Sequence, residues 1–356
     1  MCNVVLMVLF TALRDMQWRR LRFAIAVAGT GLVFAMTLVL TGLTNGFRTE
    51  DERTVDSLGV DIFLISTGAT GPFLGAAPFP AAELQVVAGA PGVQVAAPLA
   101  YTGSTFEDGG STHGVTVLGA PTGGPGMPAM SEGRAPSTPG EIAVSSTIGR
   151  RVGDQLQLGS RTLLIVGVVD NSTALAKTPN FFMTTEGVQQ LAYGGQPLIS
   201  SIGIRGALEQ VPDGFRVVDR AGAVADLMRP TKVAVDAIAI VAVLLWMVAA
   251  LIVGAVVYLS ALERMRDFAV FKAIGVPTRS ILAGLVLEAI VVAVLAAALG
   301  AALSRLLAPL FPMDVIVPAS AYLLLALIAV GIGLLASAAA VRRAVTVDPA
   351  LAFGGA

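Results

Sequence analysis

Polar and apolar positions along the chain fall into blocks. Residues 23–43 (FAIAVAGTGLVFAMTLVLTGL) carry no charge. At about 1.5 Å per residue, a helix of that length measures about 31 Å, the thickness of a bilayer's hydrocarbon core. Residues 237–262 form a second uncharged run, about 39 Å long as a helix, so it tilts or projects beyond the core. Residues 281–303 form a third run, with one charge, and residues 319–341 a fourth, with none. No run of membrane length occurs in residues 48–232. Strand-like segments recur there at residues 60–65, 93–97, 114–118, 141–145, 161–169, 181–183, 200–204 and 215–218. Two helices are predicted among them: 80–88, with Pro80 in the first turn, and 185–193, with Thr184 or Thr185 as cap. Gly- and Pro-rich residues 67–80 and 119–140 read as loops.

The predicted fold is a membrane protein with four transmembrane α-helices and an extracytoplasmic α+β domain inserted between spans one and two. In order, the parts are an interfacial amphipathic helix (1–22), span one (23–47), the extracytoplasmic domain (48–232) and span two (233–262). A cytoplasmic turn (263–280), span three (281–304), an outer loop (305–318), span four (319–341) and a cytoplasmic tail (342–356) complete the chain. Residues 221–235 are helix-compatible apart from Pro230, so a continuous or kinked helix is expected to lead into span two.

Charge orients this arrangement. Arg14, Arg19, Arg20 and Arg22 precede span one, Arg264, Arg266, Lys272 and Arg279 lie between spans two and three, and Arg342 and Arg343 follow span four. The outer loop has only Arg305, at its edge. By the positive-inside rule both termini are cytoplasmic, and the protein is multi-pass in the plasma (inner) membrane. Composition agrees: 13% of residues are charged, against about 25% in soluble domains. The net charge of -1 offers no surface for nucleic acid. A single cysteine, Cys2, excludes an intrachain disulfide, and a single histidine, His113, makes a poor metal site.

Catalytic constellations are missing from the sequence. The lysines are Lys177, Lys232 and Lys272, and none sits in a phosphate-binding G-x-x-x-x-G-K-[ST] loop. There is no H-E-x-x-H or C-x-x-C, and the spans lack the acidic or basic rows of ion pathways. The chain is therefore expected to be no enzyme, to bind no cofactor and to draw energy from a partner.

The charged turn is where such a partner would meet it. Residues 261–281 read ALERMRDFAVFKAIGVPTRSI. Glu263, Arg264, Arg266, Asp267, Lys272 and Arg279 sum to +2. Phe268, Phe271, Ala273, Ile274 and Gly275 place apolar or small groups at helical spacing, before Gly275 and Pro277 end the helix. Such a helix can dock in a groove of another protein; an interfacial turn lying on lipid is the other reading of the same pattern. Glu288 lies inside span three, where a carboxylate is costly and faces the bundle interior. It could bind substrate or a proton, or serve as a structural partner. Asp236 reads as a solvated helix-end charge.

The segment ERMRDFAVFKAIG resembles the cytoplasmic segment of MacB/FtsX-type ABC transporter permeases, ER-x-x-E-I-x-x-x-[RK]-A-x-G. Glu263, Arg264, Arg266, Lys272, Ala273, Ile274 and Gly275 carry the match, Asp267 stands for the usual Glu, and Phe268 replaces Ile. Glu288 falls where the family often has a glutamate. Residues 140–169 (GEIAVSSTIGRRVGDQLQLGSRTLLIVGVV) resemble the family's periplasmic core, and TVDPALAF its closing segment. The resemblance implies a permease paired with an ABC ATPase subunit that carries ATP and Mg, as a homodimer or a heterodimer with a related permease. A periplasmic adaptor is a further candidate partner. It also implies mechanotransmission: hydrolysis moves spans one and two, and the motion reaches the extracytoplasmic domain. Cargo would be a lipid, peptide, drug or lipoprotein. The alternative is an FtsX-like signalling scaffold that regulates a cell-wall hydrolase without transport.

Overall fold

The computed structural model describes residues 20–263 and 278–345. The chain divides into two compact units, Met1–Gly46 with Val235–Ala356, and Phe47–Ala234. Helix α1 (Arg20–Ser57) and a later helix, Arg229–Glu263, each carry residues of both units. In α1 the uncharged run ends at Leu43, and from Arg48 to Asp56 charged residues predominate. That charged part lies beyond the uncharged run and belongs to the second unit.

The second unit holds β1 (Ile62–Ser66), β2 (Phe79–Pro80), α2 (Leu84–Ala88), β3 (Val93–Asp108), β4 (Ser111–Gly119), β5 (Glu132–Gly133) and β6 (Glu141–Ser145). It continues with β7 (Gln155–Leu158), β8 (Arg161–Val169), β9 (Thr173–Ala174), β10 (Thr178–Met183), α3 (Thr185–Ala192) and β11 (Leu198–Ile199). β12 (Ser201–Gly206), β13 (Phe215–Asp219) and α4 (Arg220–Leu227) complete it. The main sheet runs β13-β1-β12-β3-β4-β10-β6-β8-β5. The β4–β10 and β6–β8 pairs are parallel, while β3 pairs antiparallel with both its neighbours on this path.

The strand expected at 93–97 runs on to Asp108. β3 pairs with β12 through Leu99 and with β4 from Ala100. Pro98 and Gly103 therefore sit within one strand that changes partners. The helix expected at 80–88 is a 3-10 turn (Ala81–Glu83) followed by the short α2. Thr184 is the cap of α3, accepting the Gly187 N–H at 3.1 Å. Burial stabilises this unit. Phe63 meets Phe73 edge to face and Phe73 meets Tyr101 at a tilt, each pair with centroids 5.5 Å apart, and Phe106 meets Phe181 at 5.3 Å.

The first unit adds α5 (Arg229–Glu263), α6 (Thr278–Leu307) and α7 (Ala319–Val345) to the start of α1. Pro230 occupies the first turn of α5, where its missing N–H breaks no helix bond, and Met228 separates α4 from α5. Among the described residues three helices are long and apolar enough to cross a membrane: Phe23–Ser57, Arg229–Ser260 and Val286–Leu310. In α7 the apolar stretch Ala319–Leu335 is shorter.

Small residues set the helix crossings. A Cβ on Gly300 would stand 2.7 Å from Phe34 Cβ and 2.9 Å from the Gly31 carbonyl oxygen, so α1 and α6 meet backbone to backbone. The loop after α6 is tied to α1. Asn45 Nδ2 donates to the Ile316 carbonyl at 2.9 Å, and Ile316 N–H to the Gly42 carbonyl at 3.0 Å. By contrast α5 is peripheral: 17% of its apolar window is buried, against 50% for α1. Ile240, Leu244, Met247 and Leu251 stay exposed, an apolar face suited to lipid or protein.

Candidate coupling site

The candidate coupling stretch joins α5 to α6. α5 ends at the exposed Glu263, and α6 begins at Thr278. Arg264, Arg266, Asp267, Phe268, Phe271, Lys272, Ala273, Ile274 and Gly275 lie outside the described residues.

Glu288 is fully buried on α6, one turn from Val292, which packs with Phe23 and Ala26 of α1 and Val256 of α5. Some hydroxyls elsewhere in this unit are absorbed locally, whereas Thr30 Oγ1 and Ser260 Oγ are buried with no hydrogen-bond partner among the described residues. Thr37 Oγ1 donates to the Val33 carbonyl at 2.9 Å and Thr41 Oγ1 to the Thr37 carbonyl at 2.8 Å, each one helical turn back. Asp236 is exposed, as expected of a solvated charge, but it lies about two turns inside α5 and not at a helix end. His113 is exposed on β4 beside Phe106, and among the described residues no cluster of potential metal ligands forms.

Two further carboxylates, which sequence reading did not single out, are buried in the second unit. Asp226, on α4, accepts the Phe73 N–H at 2.8 Å and the Gly75 N–H at 3.0 Å, and lies 3.3 Å from Arg229 Nη2. It fixes the loop between β1 and β2 from 151 residues away. Gly71 leaves it room: a Cβ there would overlap the carboxyl carbon at 2.0 Å.

Asp51, on α1, is 1% exposed. It accepts the Leu175 N–H at 3.3 Å, and the neighbouring Glu50 accepts the Lys177 N–H at 2.8 Å. One turn on, Thr54 Oγ1 donates to the Thr173 carbonyl at 2.7 Å and accepts from Asn180 Nδ2 at 3.0 Å. The β9–β10 hairpin is thus gripped by α1 through four hydrogen bonds, from Glu50, Asp51 and Thr54. Burial pushes the Asp51 carboxyl up to about 7; the Leu175 N–H opposes this and the Glu50 charge adds to it. The sequence does hold a signal. Asp51 shares a helical stripe with the buried Phe47 and Val55, at i−4 and i+4.

A cleft beneath β3, lined by Leu58, Phe73, Leu99, Tyr101, Gly126 and Ser201, measures about 10 Å³. That is room for about one water molecule, not for cargo.

Comparison with known proteins decides the family. Residues 23–211 match the MacB-like periplasmic core domain, and residues 239–349 the FtsX-like permease C-terminal region. Over 347 residues the chain is 69% identical to the ABC transporter permease Rv2563 of Mycobacterium tuberculosis strain H37Rv, covering 98% of this chain and 99% of that one. A second permease of that organism, Rv0072, is 63% identical over the same coverage. The chain belongs to the MacB/FtsX-type ABC transporter permeases. The periplasmic region of MacB from Actinobacillus actinomycetemcomitans is also similar, at 11% identity over 46% of this chain and 91% of that one, with a TM-score of 0.34, too low to argue from. As a MacB/FtsX-type permease the chain is a membrane subunit, not itself an enzyme, and its family implies a partner ATPase.

Proposed function

We propose that this permease couples ATP hydrolysis on a separate ABC ATPase to movement of its extracytoplasmic unit, to export or extract a lipid, peptide, drug or lipoprotein. The observation that carries this reading is the pair of family matches, of which the C-terminal one includes the turn at residues 263–280. The turn docks on the ATPase through Phe268 and Phe271, flanked by Glu263, Arg264, Arg266, Asp267 and Lys272. Ala273, Ile274 and Gly275 end the docking helix. Continuous α1 and α5 supply the mechanical path, because each carries residues of both units. The permease works as a homodimer or with a related permease, in the plasma membrane with both termini cytoplasmic, and ATP and Mg bind the partner. Glu288 is read as a structural group of the helix bundle.

The test is co-purification with the candidate ATPase and assay of its hydrolysis in lipid nanodiscs. Introducing Phe268→Asp and Phe271→Asp together is expected to abolish co-purification and permease-dependent stimulation, with the extracytoplasmic unit still folded. An intact complex with unchanged hydrolysis would refute the docking assignment. Hydrolysis that depends on an extracytoplasmic partner, with no cargo moved, would favour the signalling alternative.

A further inference from the structure

The β9–β10 hairpin that α1 holds is built on an uncommon backbone. Leu175, Ala176 and Lys177 have φ of 53°, 63° and 68°, three side-chain-bearing residues in succession in the left-handed region. Left-handed residues other than glycine are disfavoured by contact of Cβ with the following carbonyl, and a run of three persists only where the surroundings impose it. Here the surroundings are the acids of α1. The turn aims the N–H groups of Leu175 and Lys177 at Asp51 and Glu50, an anion-binding concavity of backbone donors filled from within the chain. Thr178 Oγ1 closes the turn on the Leu175 carbonyl at 3.1 Å.

We propose that Asp51 and the strained turn Leu175–Lys177 form a proton-controlled latch between α1 and the β9–β10 hairpin, closed when Asp51 is neutral and loosened when it is charged. The groups around Asp51 set this behaviour. Glu50 on its own helix repels its charge. From β3 the half-buried Tyr101 phenol feels the Asp51 charge. From the hairpin Lys177 offers its N–H to Glu50. Among the described residues no cation pairs with Asp51. A neutral Asp51 still accepts the Leu175 N–H, whereas a charged one is buried with a single hydrogen bond and no counter-ion.

The sign follows from linkage. Burial raises the Asp51 carboxyl from 3.8 to about 7 in the closed latch. Closure is therefore strongest at low pH, weakens as pH rises between those values, and is level above them. This inference concerns the joint inside the extracytoplasmic unit and does not depend on what the permease carries.

Amide hydrogen exchange of the full chain in lipid nanodiscs tests it, with each rate divided by its intrinsic rate at that pH. Protection of residues 171–180 is expected to fall on the order of tenfold to a hundredfold between about pH 5 and about pH 8, while β8 stays constant. Asp51→Asn should abolish the fall and hold protection at its low-pH level. A wild-type hairpin with pH-independent protection, or an Asp51→Asn hairpin that keeps the fall, would overturn the latch. Lys177→Gly provides a second arm, independent of whether Asp51→Asn folds. Releasing a left-handed residue should raise protection several-fold at every pH and leave the fall in place. No gain in protection would overturn the strained turn.

Discussion

Asp51 and Asp226 are the same residue type, almost equally buried, and both lie in the second unit, on α1 and α4. Each holds a distant loop by its backbone N–H groups. Their surroundings nonetheless differ. Asp226 has two N–H donors and Arg229 beside it. Asp51 has one N–H donor at 3.3 Å and a like charge next to it in sequence. A buried carboxylate with a full set of donors and a counter-ion is a fixed clamp. One without them is held mainly while it is neutral. The difference lies in partners, not in burial or residue type.

The comparison breaks most visibly at Asp226. Asp226→Ala removes the acceptor for the Phe73 and Gly75 N–H groups and strands Arg229. The expected loss is about 3–5 kcal/mol in the extracytoplasmic unit, read from urea unfolding of the full chain in detergent. A smaller loss follows at the same clamp from the loop side. Gly71→Ala places a methyl group against the Asp226 carboxyl and should destabilise by about 1–3 kcal/mol in the same measurement. If Gly71→Ala is neutral, the loop gives way freely and Asp226 is less of a clamp than its geometry indicates.

Neither carboxylate stood out in the sequence. Asp51 lies in the charged run TEDERTVD, which reads as a solvated helix surface, and only its place on the stripe of Phe47 and Val55 marks it as inward. Its partners are 124 residues away, and no local pattern announces three left-handed residues without a glycine among them. Features decided by local chemistry were more legible. The strands at Glu141–Ser145 and Arg161–Val169 follow from unbroken apolar runs, and Thr184 follows from ordinary capping. The two-residue strands have no apolar run to read, and the length of β3 depends on pairing with β12 and β4 in turn. Glu288 was legible because a lone carboxylate in an apolar run is conspicuous. The charged turn was legible as a family motif, and most of it falls outside the described residues.

The contrast between the two carboxylates comes down to a sign. Asp51→Asn and Asp226→Asn remove the same charge from the same degree of burial. The direct measurement is the urea midpoint of the extracytoplasmic unit in both variants, followed in the full chain by hydrogen exchange in β8 and β10 at about pH 7.5. Asp51→Asn is expected to stabilise by about 1–3 kcal/mol, because it removes an uncompensated buried charge. Asp226→Asn is expected to destabilise by about 2–3 kcal/mol, because it weakens charge-assisted hydrogen bonds and leaves Arg229 without its partner. Changes of the same sign in the two variants would contradict the account.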